Sequence, residues 1–531
     1  MQTREFIASI RSRDDESKVP ERSTGKWGEG LNRRQAAAVE GSSPAAVLVL
    51  AGAGSGKTTV LTRRIAYLIG KIEKISDGGI LALTFTKDAA SEMETRLRGL
   101  LGAAAAAFPT IGTFHAFAFA LVRGECAGMP NWSRLGFSHS PSLLDPDDAS
   151  AWLAHEKKAL GLEAPLDQLR EWIGRPFSPE TTPNPAPAPG GSPISVHLEL
   201  RERFRRHLLD ASAIGFDDMV DLAIRLLRED ARVLEDVRAR YRHILVDEFQ
   251  DTSKDQLELI KLLAGDPPSL FLVGDDDQAI YGFRGAEPGN IEAVLAHFPG
   301  MEIIKLETNY RSSTAIVAYA NAIFRDKPEA LRKRLQAGSE RGHAPVQVVS
   351  HGNGAEQAAW MIGEMRRIRE REGLAWAEMA VLFRLNVLEP YYRSMLERLA
   401  GPEAAREVVL STVHAAKGLE YAAVFFAGLE DGILPYRRGK ETLAPERLAE
   451  ERRIFYVGVT RAQRFLYLCS CRRRILRGKT VEADASPFLK AAPAWAGKPW
   501  FAKGRTAGIL RAGRGKVFRA YRAFRKRKGQ S

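Results

Sequence analysis

The sequence contains few cysteines and no long apolar run, and these two absences exclude several classes of protein. Its 531 residues include only three cysteines, Cys126, Cys469 and Cys471, too few for a disulfide framework. Cys469 and Cys471 are separated by a single residue in an apolar run, which predicts a strand rather than a metal site. The longest apolar runs have nine residues, whereas a bilayer span needs ~18. The N-terminus also lacks the apolar segment of a secretory signal, so we expect a protein of the reducing cytoplasm without a membrane segment.

Acidic residues are missing from the C-terminal part of the chain. Residues 497–531 contain twelve Lys or Arg and no Asp or Glu, whereas the preceding 496 residues carry 66 basic and 65 acidic side chains. Nearly all of the net charge of +13 therefore belongs to this tail, and a basic block of this kind usually binds a polyanion. Three structures remain open for it: a helix that docks on nucleic acid, a disordered tether, and a helix at a membrane surface.

Short apolar runs without polar interruptions recur along the rest of the chain. Examples are "AAVLVL", "GILALTF", "HILVDEF", "SLFLVGD", "MAVLFRL" and "AAVFFAGL". Unbroken apolar runs predict strands buried on both faces, as in parallel sheets, and helix-like segments lie between many of them. The chain length favours several domains. We therefore predict an α/β protein built on parallel sheets.

One segment interrupts this alternation of strands and helices. Residues 176–193 contain seven prolines and must form an extended linker or loop. The surrounding residues 126–210 have helical character and no strong buried strand. We predict an inserted helical subdomain there.

The stretch "AGAGSGKTT" follows the first apolar run and is typical of a loop that binds phosphate groups. Its glycines allow backbone N–H groups to turn towards phosphate oxygens. Lys57 is expected to neutralise the β- and γ-phosphates of ATP, and Thr58 to ligate Mg²⁺. The predicted nucleotide-binding residues of this loop are Ala51, Gly52, Ala53, Gly54, Ser55, Gly56, Lys57, Thr58 and Thr59.

An acidic pair follows a second apolar run, in "HILVDEFQDTS". Asp247 ends the predicted strand, where a carboxylate can hold Mg²⁺ together with Thr58. Glu248 is then placed to accept a proton from the attacking water. A lone acidic pair after a strand can be a solvated loop, but together with the phosphate loop it indicates nucleotide hydrolysis.

The "DEFQD" form of this motif, combined with "AGAGSGKT", resembles the UvrD/Rep family of superfamily 1 DNA helicases. Further motifs similar to those of the family follow in order: "LNRRQAAAV", "ALTFTKDAASEM", "IGTFHAF", "LVGDDDQAIYGFRGA", "LETNYRSS", "VVLSTVHAAKGLEY" and "EERRIFYVGVTRAQ". The match runs from about residue 31 to 490. It implies a P-loop NTPase fold with two RecA-like parallel-sheet cores. The expected domains are the first core (1–125 and 211–304), the helical insert (126–210), the second core (305–490) and the basic tail (491–531).

The resemblance also implies roles for single residues. At the nucleotide, Gln35 and Tyr310 would recognise and stack the adenine, and Gln278 would couple the γ-phosphate to the DNA site. Arg311 and Arg461 would be arginine fingers that reach across the cleft between the cores.

A second set of residues corresponds to the family's binding site for unpaired bases. The expected DNA-binding side chains are the rings of Phe85, His115, Tyr281 and Phe283, with polar contacts from Arg284 and His414. Aromatic rings stack on any base, which suits binding that ignores sequence. Phe283 replaces the usual tryptophan, and "TFTKDAA" replaces "TFTNKAA", so stacking is expected to be weaker or shifted in register.

One large part of the family pattern is missing. A helical domain is inserted in the second core of the family before the motif "VVLSTVH", but here only "PEAARE" separates Gly401 from Val408. The chain therefore resembles a trimmed helicase without this accessory domain, which puts duplex unwinding in doubt more than translocation.

These observations predict an ATP- and Mg²⁺-dependent helicase or translocase that moves on single-stranded DNA, 3′-to-5′ by resemblance, in DNA repair, replication or recombination. Single-stranded and tailed duplex DNA are the expected partners, and another protein could supply a grip on the duplex. Two alternatives stay open: a translocase that displaces proteins without unwinding, and an ATP-gated DNA-binding switch.

Overall fold

Two parallel β-sheets flanked by helices form the framework of the chain in the computed structural model. The structure describes residues 26–41, 46–71, 79–102, 109–126, 131–173, 194–327, 332–338, 344–437, 439, 441–491 and 500–501. The predicted Pro-rich linker 176–193 lies outside these residues. So does the predicted tail 491–531, apart from residues 491 and 500–501.

The strands and helices are numbered in chain order. The strands are β1 (Ala46–Ala51), β2 (Gly79–Thr84), β3 (Thr110–Thr113), β4 (Ser142–Leu143), β5 (Ala213–Ile214), β6 (Tyr241–Val246), β7 (Leu270–Gly274), β8 (Glu302–Leu306), β9 (Thr308–Asn309), β10 (Gln336–Ala337), β11 (Gln347–Asn353), β12 (Met379–Phe383), β13 (Val409–Thr412), β14 (Tyr421–Phe426), β15 (Ala462–Leu476), β16 (Lys479–Glu482) and β17 (Trp500–Phe501). The helices are α1 (Arg33–Glu40), α2 (Lys57–Lys71), α3 (Lys87–Leu101), α4 (Phe114–Val122), α5 (Pro146–Ala159), α6 (Leu166–Ile173), α7 (Ile194–Asp210), α8 (Asp218–Glu229), α9 (Ala231–Arg240), α10 (Lys254–Leu263), α11 (Asn290–His297), α12 (Thr314–Ile323), α13 (Gly354–Glu372), α14 (Glu389–Ala400), α15 (Pro402–Glu407) and α16 (Pro445–Val459).

The first sheet has the order β3-β2-β6-β7-β1-β8 with all neighbours parallel. Every residue of β1 and β7 is buried, which explains why their sequences are apolar without alternation. Because parallel strands end at the same edge of a sheet, the loops after β1, β6 and β7 are brought together there. This edge therefore holds the phosphate loop, Asp247 and Asp275.

The second sheet has the order β13-β12-β14-β15-β11-β17, again with parallel neighbours, and β16 folds back on β15 as an antiparallel partner. Cys469 and Cys471 lie in β15 as buried free thiols, as the apolar run predicted. Together the two sheets confirm the predicted α/β class with two RecA-like cores.

Side-chain caps fix the start of helices beside the edge of the first sheet. Asn32 and Gln35 form a capping box that begins α1. Thr86 accepts a hydrogen bond from Ala89 N at the start of α3, directly after β2. Thr113 caps α4 in the same way, directly after β3. Each cap of this type stabilises its helix by about 1 kcal/mol, so the turns that follow the strands have a defined course.

The helical insert packs around a small apolar cluster of its own. Leu153 of α5, Leu169 of α6 and Leu200 of α7 are buried in it. The predicted start of the insert at residue 126 is wrong in detail, because Leu135 and Phe137 pack into the main cluster of the first core. The part with a separate cluster begins with α5, and the short strand β4 before it pairs with β5.

The predicted boundary between the cores at residue 304 also needs correction. Strand β8 continues to Leu306, and Leu306 pairs with Ala51 of β1. The boundary at 304 would cut this strand, so the first core extends at least two residues further. The apolar run that contains β8 gave no sign of where the pairing stops.

The junction at the predicted site of the missing domain is a single short helix. Between α14 and β13 the chain forms α15, whose Ala404 and Ala405 are buried. Residues 401–408 thus connect two elements of the second core directly.

Among the described residues, no helix combines the length and the apolar character that a membrane span requires.

Candidate nucleotide and DNA site

The phosphate loop has the backbone shape that its glycines predict. Ala51 ends β1, Gly54 and Gly56 have φ angles of 65° and 86°, and Lys57 begins α2. Thr58 and Thr59 therefore lie in the first turn of α2, where free N–H groups and the helix dipole favour an anion. The hydroxyl of Ser55 in this loop is buried, and no described residue forms a hydrogen bond with it. An unsatisfied buried hydroxyl beside a helix N-terminus fits a phosphate group.

Lys57 and Glu248 form an ion pair inside the site, with Nζ 3.0 Å from Oε2. Burial disfavours the ammonium group of Lys57, but the carboxylates of Glu248, Asp275 and Asp247 outweigh it and raise its pKa. Burial likewise opposes the charged form of Glu248, yet Lys57 and Lys417 lower its pKa to about 2. Glu248 also has a φ angle of 48°, in the left-handed region that is unfavourable for a residue with a side chain. The carboxylate is therefore ionised and is held by a strained backbone.

Asp247 is buried at the end of β6 and accepts a hydrogen bond from the backbone N–H of Glu248. Burial and the neighbouring charge of Glu248 raise its pKa to about 7. A divalent cation beside Asp247 would offset this penalty, because its positive charge stabilises the ionised carboxylate. Thr58 and Asp247 lie on the same edge of the first sheet and have the oxygen ligands that Mg²⁺ prefers.

The residues predicted to contact adenine lie beside the phosphate loop. Gln35 donates from Nε2 to Ser55 O at 2.8 Å and accepts from Asn32 N at 3.0 Å. Tyr310 donates from its backbone N–H to Gly54 O at 2.8 Å, and its hydroxyl accepts from Asn32 Nδ2 at 2.7 Å. Asn32, which the sequence analysis did not select, thus joins Gln35 to Tyr310.

Arg461 lies at the junction of α16 and β15 and is only 1% exposed. Its Nη2 donates to Oε1 of Gln278 at 3.0 Å, which joins the second core to the first. Three further hydrogen bonds, to Val457 O at 3.0 Å, Leu419 O at 3.2 Å and Thr460 Oγ1 at 3.2 Å, hold the guanidinium group. Burial, with the nearby charge of Arg311, lowers its pKa to about 9.

Arg311 is held by the second core in this structure. Its Nε donates to Oε2 of Glu420 at 2.5 Å and its Nη1 to Thr460 O at 3.2 Å. Its Cβ lies so close to Gly54 that a side chain at Gly54 would meet it. Arg311 therefore lies beside the phosphate loop, with its guanidinium group paired to Glu420.

Five of the six predicted DNA-binding residues form one cluster, which we call the ring cluster: Phe85, Tyr281, Phe283, Arg284 and His414. Phe85 stacks on Tyr281 with centroids 5.2 Å apart, and Phe283 meets His414 edge-on at 5.4 Å. Phe283 is 66% exposed, so its ring is available to a ligand. The cluster includes residues from both cores.

The sixth predicted residue, His115, stacks on Phe216 instead, with centroids 4.2 Å apart and an interplanar angle of 18°. Phe216 is 56% exposed. Sequence reasoning missed Phe216, although an aromatic residue directly before the acidic start of α8 was visible in "GFDD". The reason is that only the folded chain brings it to His115, about a hundred residues away.

Lys417 is a second residue that sequence reasoning missed. Its side chain is 6% exposed and pairs with the carboxylate of Asp251. The ammonium group donates to Gln278 O at 2.8 Å and lies 4.9 Å from the ring centroid of Tyr281. Lys417 therefore contacts Gln278 beside the nucleotide site and Tyr281 in the ring cluster.

Comparisons with known proteins agree with this geometry. The family model of the UvrD/REP helicase N-terminal domain matches residues 31–299, and that of the UvrD-like helicase C-terminal domain matches residues 394–473. A "Probable DNA helicase" of Mycoplasma pneumoniae is 34% identical over 460 residues, which cover 83% of each chain.

Alignments with longer relatives support the absence of the accessory domain from the second core. DNA helicase II of Escherichia coli is 35% identical over 364 residues, 67% of this chain and 49% of that protein, so the chain spans about half the length of this relative. The ATP-dependent DNA helicase PcrA of Staphylococcus epidermidis is 26% identical over 639 aligned residues, which cover 87% of this chain and 86% of that one. Because that alignment is longer than the 531 residues of this chain, it must contain extensive gaps here. By its sequence, its two sheets and these matches, the chain belongs to the UvrD/Rep family of helicases.

Proposed function

We propose that this chain is an ATP- and Mg²⁺-dependent motor that moves along single-stranded DNA in the 3′-to-5′ direction. The single observation that carries the proposal is the position of Lys417, which contacts Gln278, Asp251 and Tyr281 at once. Since Lys417 belongs to the second core and its partners to the first, a movement between the cores alters both sites together. Such a link is what a motor needs to convert hydrolysis into movement.

The residues of the nucleotide site have complementary chemical roles in this proposal. Lys57 neutralises phosphate oxygens, and Arg311 and Arg461 add cations that stabilise the charge of the transition state. Glu248 is ionised, because Lys57 and Lys417 lower its pKa, and it is proposed to accept the proton of the attacking water. Mg²⁺, held by Thr58 and Asp247, would neutralise the phosphate charge that develops.

Gln35 and Tyr310 are proposed to bind the adenine ring. Their hydrogen bonds to Ser55 and Gly54 fix both residues relative to the phosphate loop. A base and its phosphates are then recognised by one rigid unit. Tyr310 offers the stacking face, and the amide of Gln35 is the candidate for base recognition.

Unpaired bases are proposed to stack on the exposed rings. Stacking on an aromatic side chain contributes about 1–3 kcal/mol per base and tolerates any sequence. Phe283 offers the most exposed ring of the ring cluster, and Arg284 lies 5.3 Å from the Tyr281 centroid, where it can also reach a phosphate. The pair His115 and Phe216 offers a second place for a base.

A second candidate function is translocation that displaces bound proteins without opening a duplex. The specific observation in its favour is α15, which occupies the position of the accessory domain with a single short helix. A grip on the duplex would then come from the helical insert, the basic tail or a partner protein. An ATP-gated switch without turnover is disfavoured, because Glu248, Arg311 and Arg461 are all present.

The proposal is tested by measuring ATPase, translocation and unwinding on one tailed duplex at one salt concentration. We expect strong ATPase stimulation by single-stranded DNA, directional translocation, and weak unwinding that improves with a partner or a grafted accessory domain. Absence of DNA-stimulated ATPase would refute the motor. Unaided unwinding of hundreds of base pairs by one molecule would refute the inference from the missing domain.

A further inference from the structure

Residues 332–338, which we call the bridging segment, contain none of the predicted motifs but lie against three parts of the nucleotide site. A Cβ atom at Gly52 of the phosphate loop would overlap the side chain of Leu335. A Cβ atom at Gly338 would lie 3.0 Å from the ring of Tyr310. Lys333 contacts the aspartates that follow β7. The segment therefore forms a wall of the site.

The bridging segment is fixed to the second core. Asn321 of α12 donates to Leu335 O at 2.8 Å and accepts from Leu335 N at 2.9 Å, so both backbone groups of Leu335 are satisfied by one side chain. Leu335 also belongs to the apolar cluster of the second core. Since α12 lies in that core, the segment moves with it.

Lys333 is buried among three carboxylates of the first core. Its side chain is 2% exposed, and Nζ lies 2.7 Å from Oδ1 of Asp275 and 2.9 Å from Oδ2 of Asp277, with a further ion pair to Asp276. The three carboxylates lie close enough together to hold a cation, and the ammonium group occupies that position. Unpaired buried carboxylates are costly, so Lys333 favours the contact between the cores.

One ion pair and two hydrogen bonds form a continuous path from Lys333 to Arg461. Oδ1 of Asp275 forms an ion pair with the ammonium group of Lys333. Oδ2 of Asp275 accepts a hydrogen bond from Nε2 of Gln278 at 2.5 Å. Oε1 of Gln278 in turn accepts a hydrogen bond from Nη2 of Arg461 at 3.0 Å. The path begins and ends in the second core and passes through the first, so separation of the cores breaks it at both ends.

We propose that Lys333 is a positioning residue for ATP hydrolysis, which fixes Asp275 and, through it, the amide of Gln278 in the orientation that receives Arg461. This inference rests on the proposed ATPase function. Gln278 can present its oxygen to Arg461 only while its nitrogen faces a carboxylate, and Lys333 is the cation that holds that carboxylate in place. The contact between Gln278 and Arg461 thereby forms only when the cores are closed.

The inference predicts an effect on turnover rather than on nucleotide affinity. The Lys333 ammonium group contacts the carboxylates that follow β7, and its influence on the reaction runs through Gln278. A misplacement of about 1 Å in a catalytic constellation can cost about 100-fold in rate. We therefore expect Lys333→Met to lower kcat in the presence of DNA by about 10- to 100-fold and to leave the dissociation constant of a fluorescent non-hydrolysable ATP analogue within about threefold.

Lys327 provides a matched control. It is also a lysine of the second core and pairs with Asp276 and Asp277, but not with Asp275 in any described contact. Its side chain is 19% exposed. Lys327→Met should therefore remove a similar charge while leaving the path to Gln278 intact, and kcat should stay near the wild-type value.

The decisive experiment combines Lys333→Met with Gln278→Ala in the full-length chain. If Lys333 acts through Gln278, the double variant is no slower than Gln278→Ala alone. The inference would be overturned if the double variant loses kcat by the product of the two single losses. It would also be overturned by a wild-type kcat in Lys333→Met, or if Lys327→Met lowers kcat as much as Lys333→Met does. If Lys333→Met does not fold, Lys333→Met with Asp277→Asn restores the charge balance and is compared with Asp277→Asn alone.

Failure of this inference can be distinguished from failure of the proposed function. Wild-type protein without DNA-stimulated ATPase would overturn both together. Active wild-type protein with an unchanged kcat in Lys333→Met would overturn the inference alone.

Discussion

The substitution Glu248→Gln separates two roles of one side chain, because this carboxylate is both the proposed base and the ion-pair partner of Lys57. Its Oε2 lies 3.0 Å from Lys57 Nζ, and the two side chains are 26% and 13% exposed. An ion pair at this degree of exposure contributes about 1 kcal/mol. A nucleotide phosphate must compete with Glu248 for the same ammonium group, so the pair weakens nucleotide binding in the wild type.

The expected result follows from these two roles. Loss of a general base costs about 10²- to 10⁴-fold in turnover. Removal of the competing charge should tighten nucleotide binding by up to about fivefold, the factor that corresponds to about 1 kcal/mol. Stopped-flow fluorescence with a labelled ATP analogue measures the affinity, and phosphate release with saturating single-stranded DNA measures the turnover.

The matched control is Glu258→Gln on α10 of the same core, a residue that pairs with Arg228 at 2.9 Å on the surface. It makes the same chemical change away from the site and should leave both quantities unchanged. Turnover of Glu248→Gln within about threefold of wild type would refute its role as the base, since a lost base costs at least about 10²-fold. Weaker nucleotide binding would refute the competition with Lys57.

Three further predictions concern other parts of the motor. Arg461→Lys keeps the charge, but its three N–H donors cannot satisfy the four acceptors of the guanidinium group. DNA-stimulated kcat should therefore fall by about 10³-fold or more with nearly unchanged nucleotide affinity, and a normal kcat would make Arg461 purely structural. Phe283→Ala should weaken single-strand binding by about 1–3 kcal/mol in fluorescence anisotropy, while Phe283→Trp should strengthen it, and equal affinities would exclude this ring from the DNA site. Truncation after Phe501 removes eleven basic residues, and each phosphate neutralised on single strands contributes about −0.7 to the slope of log binding constant against log salt concentration. We expect a flatter salt dependence of DNA binding with unchanged ATPase at saturating DNA. An unchanged slope would exclude the tail from DNA binding.

Local sequence was sufficient to predict the phosphate loop and the acidic pair. Both depend on residues that are neighbours in the chain: glycines that permit left-handed backbone at Gly54 and Gly56, and a carboxylate directly after a buried strand at Asp247. The unbroken apolar runs likewise predicted parallel sheets, because burial on both faces leaves no room for polar alternation. The family motifs, read in order, then predicted the two cores and the missing domain.

Contacts between distant segments could not be read from the sequence. His115 stacks on Phe216 rather than joining the ring cluster, and β8 continues to Leu306, beyond the predicted boundary. Neither fact has a local signal, since the first depends on how α4 packs beside the start of α8 and the second on which strands become neighbours. Lys333 is the strongest case, because in the sequence it resembles any surface lysine. Lys417 lies within the motif "VVLSTVHAAKGLEY", but the motif does not show which carboxylate and which ring it contacts.

The sequence by itself therefore determined the fold class and the family, and it supplied the candidate groups of the proposed nucleotide site, because these depend on short-range pattern and residue type. Tertiary structure alone decided which of those groups meet. Lys333 and Lys417 lie in the second core, and their ammonium groups are buried against carboxylates of the first. Burial makes such charges depend strongly on their partners, because a carboxylate in a low-dielectric interior requires a cation nearby. The connection between the ATP site and the ring cluster is thus a property of how the two cores pack, and no single segment of the chain contains it.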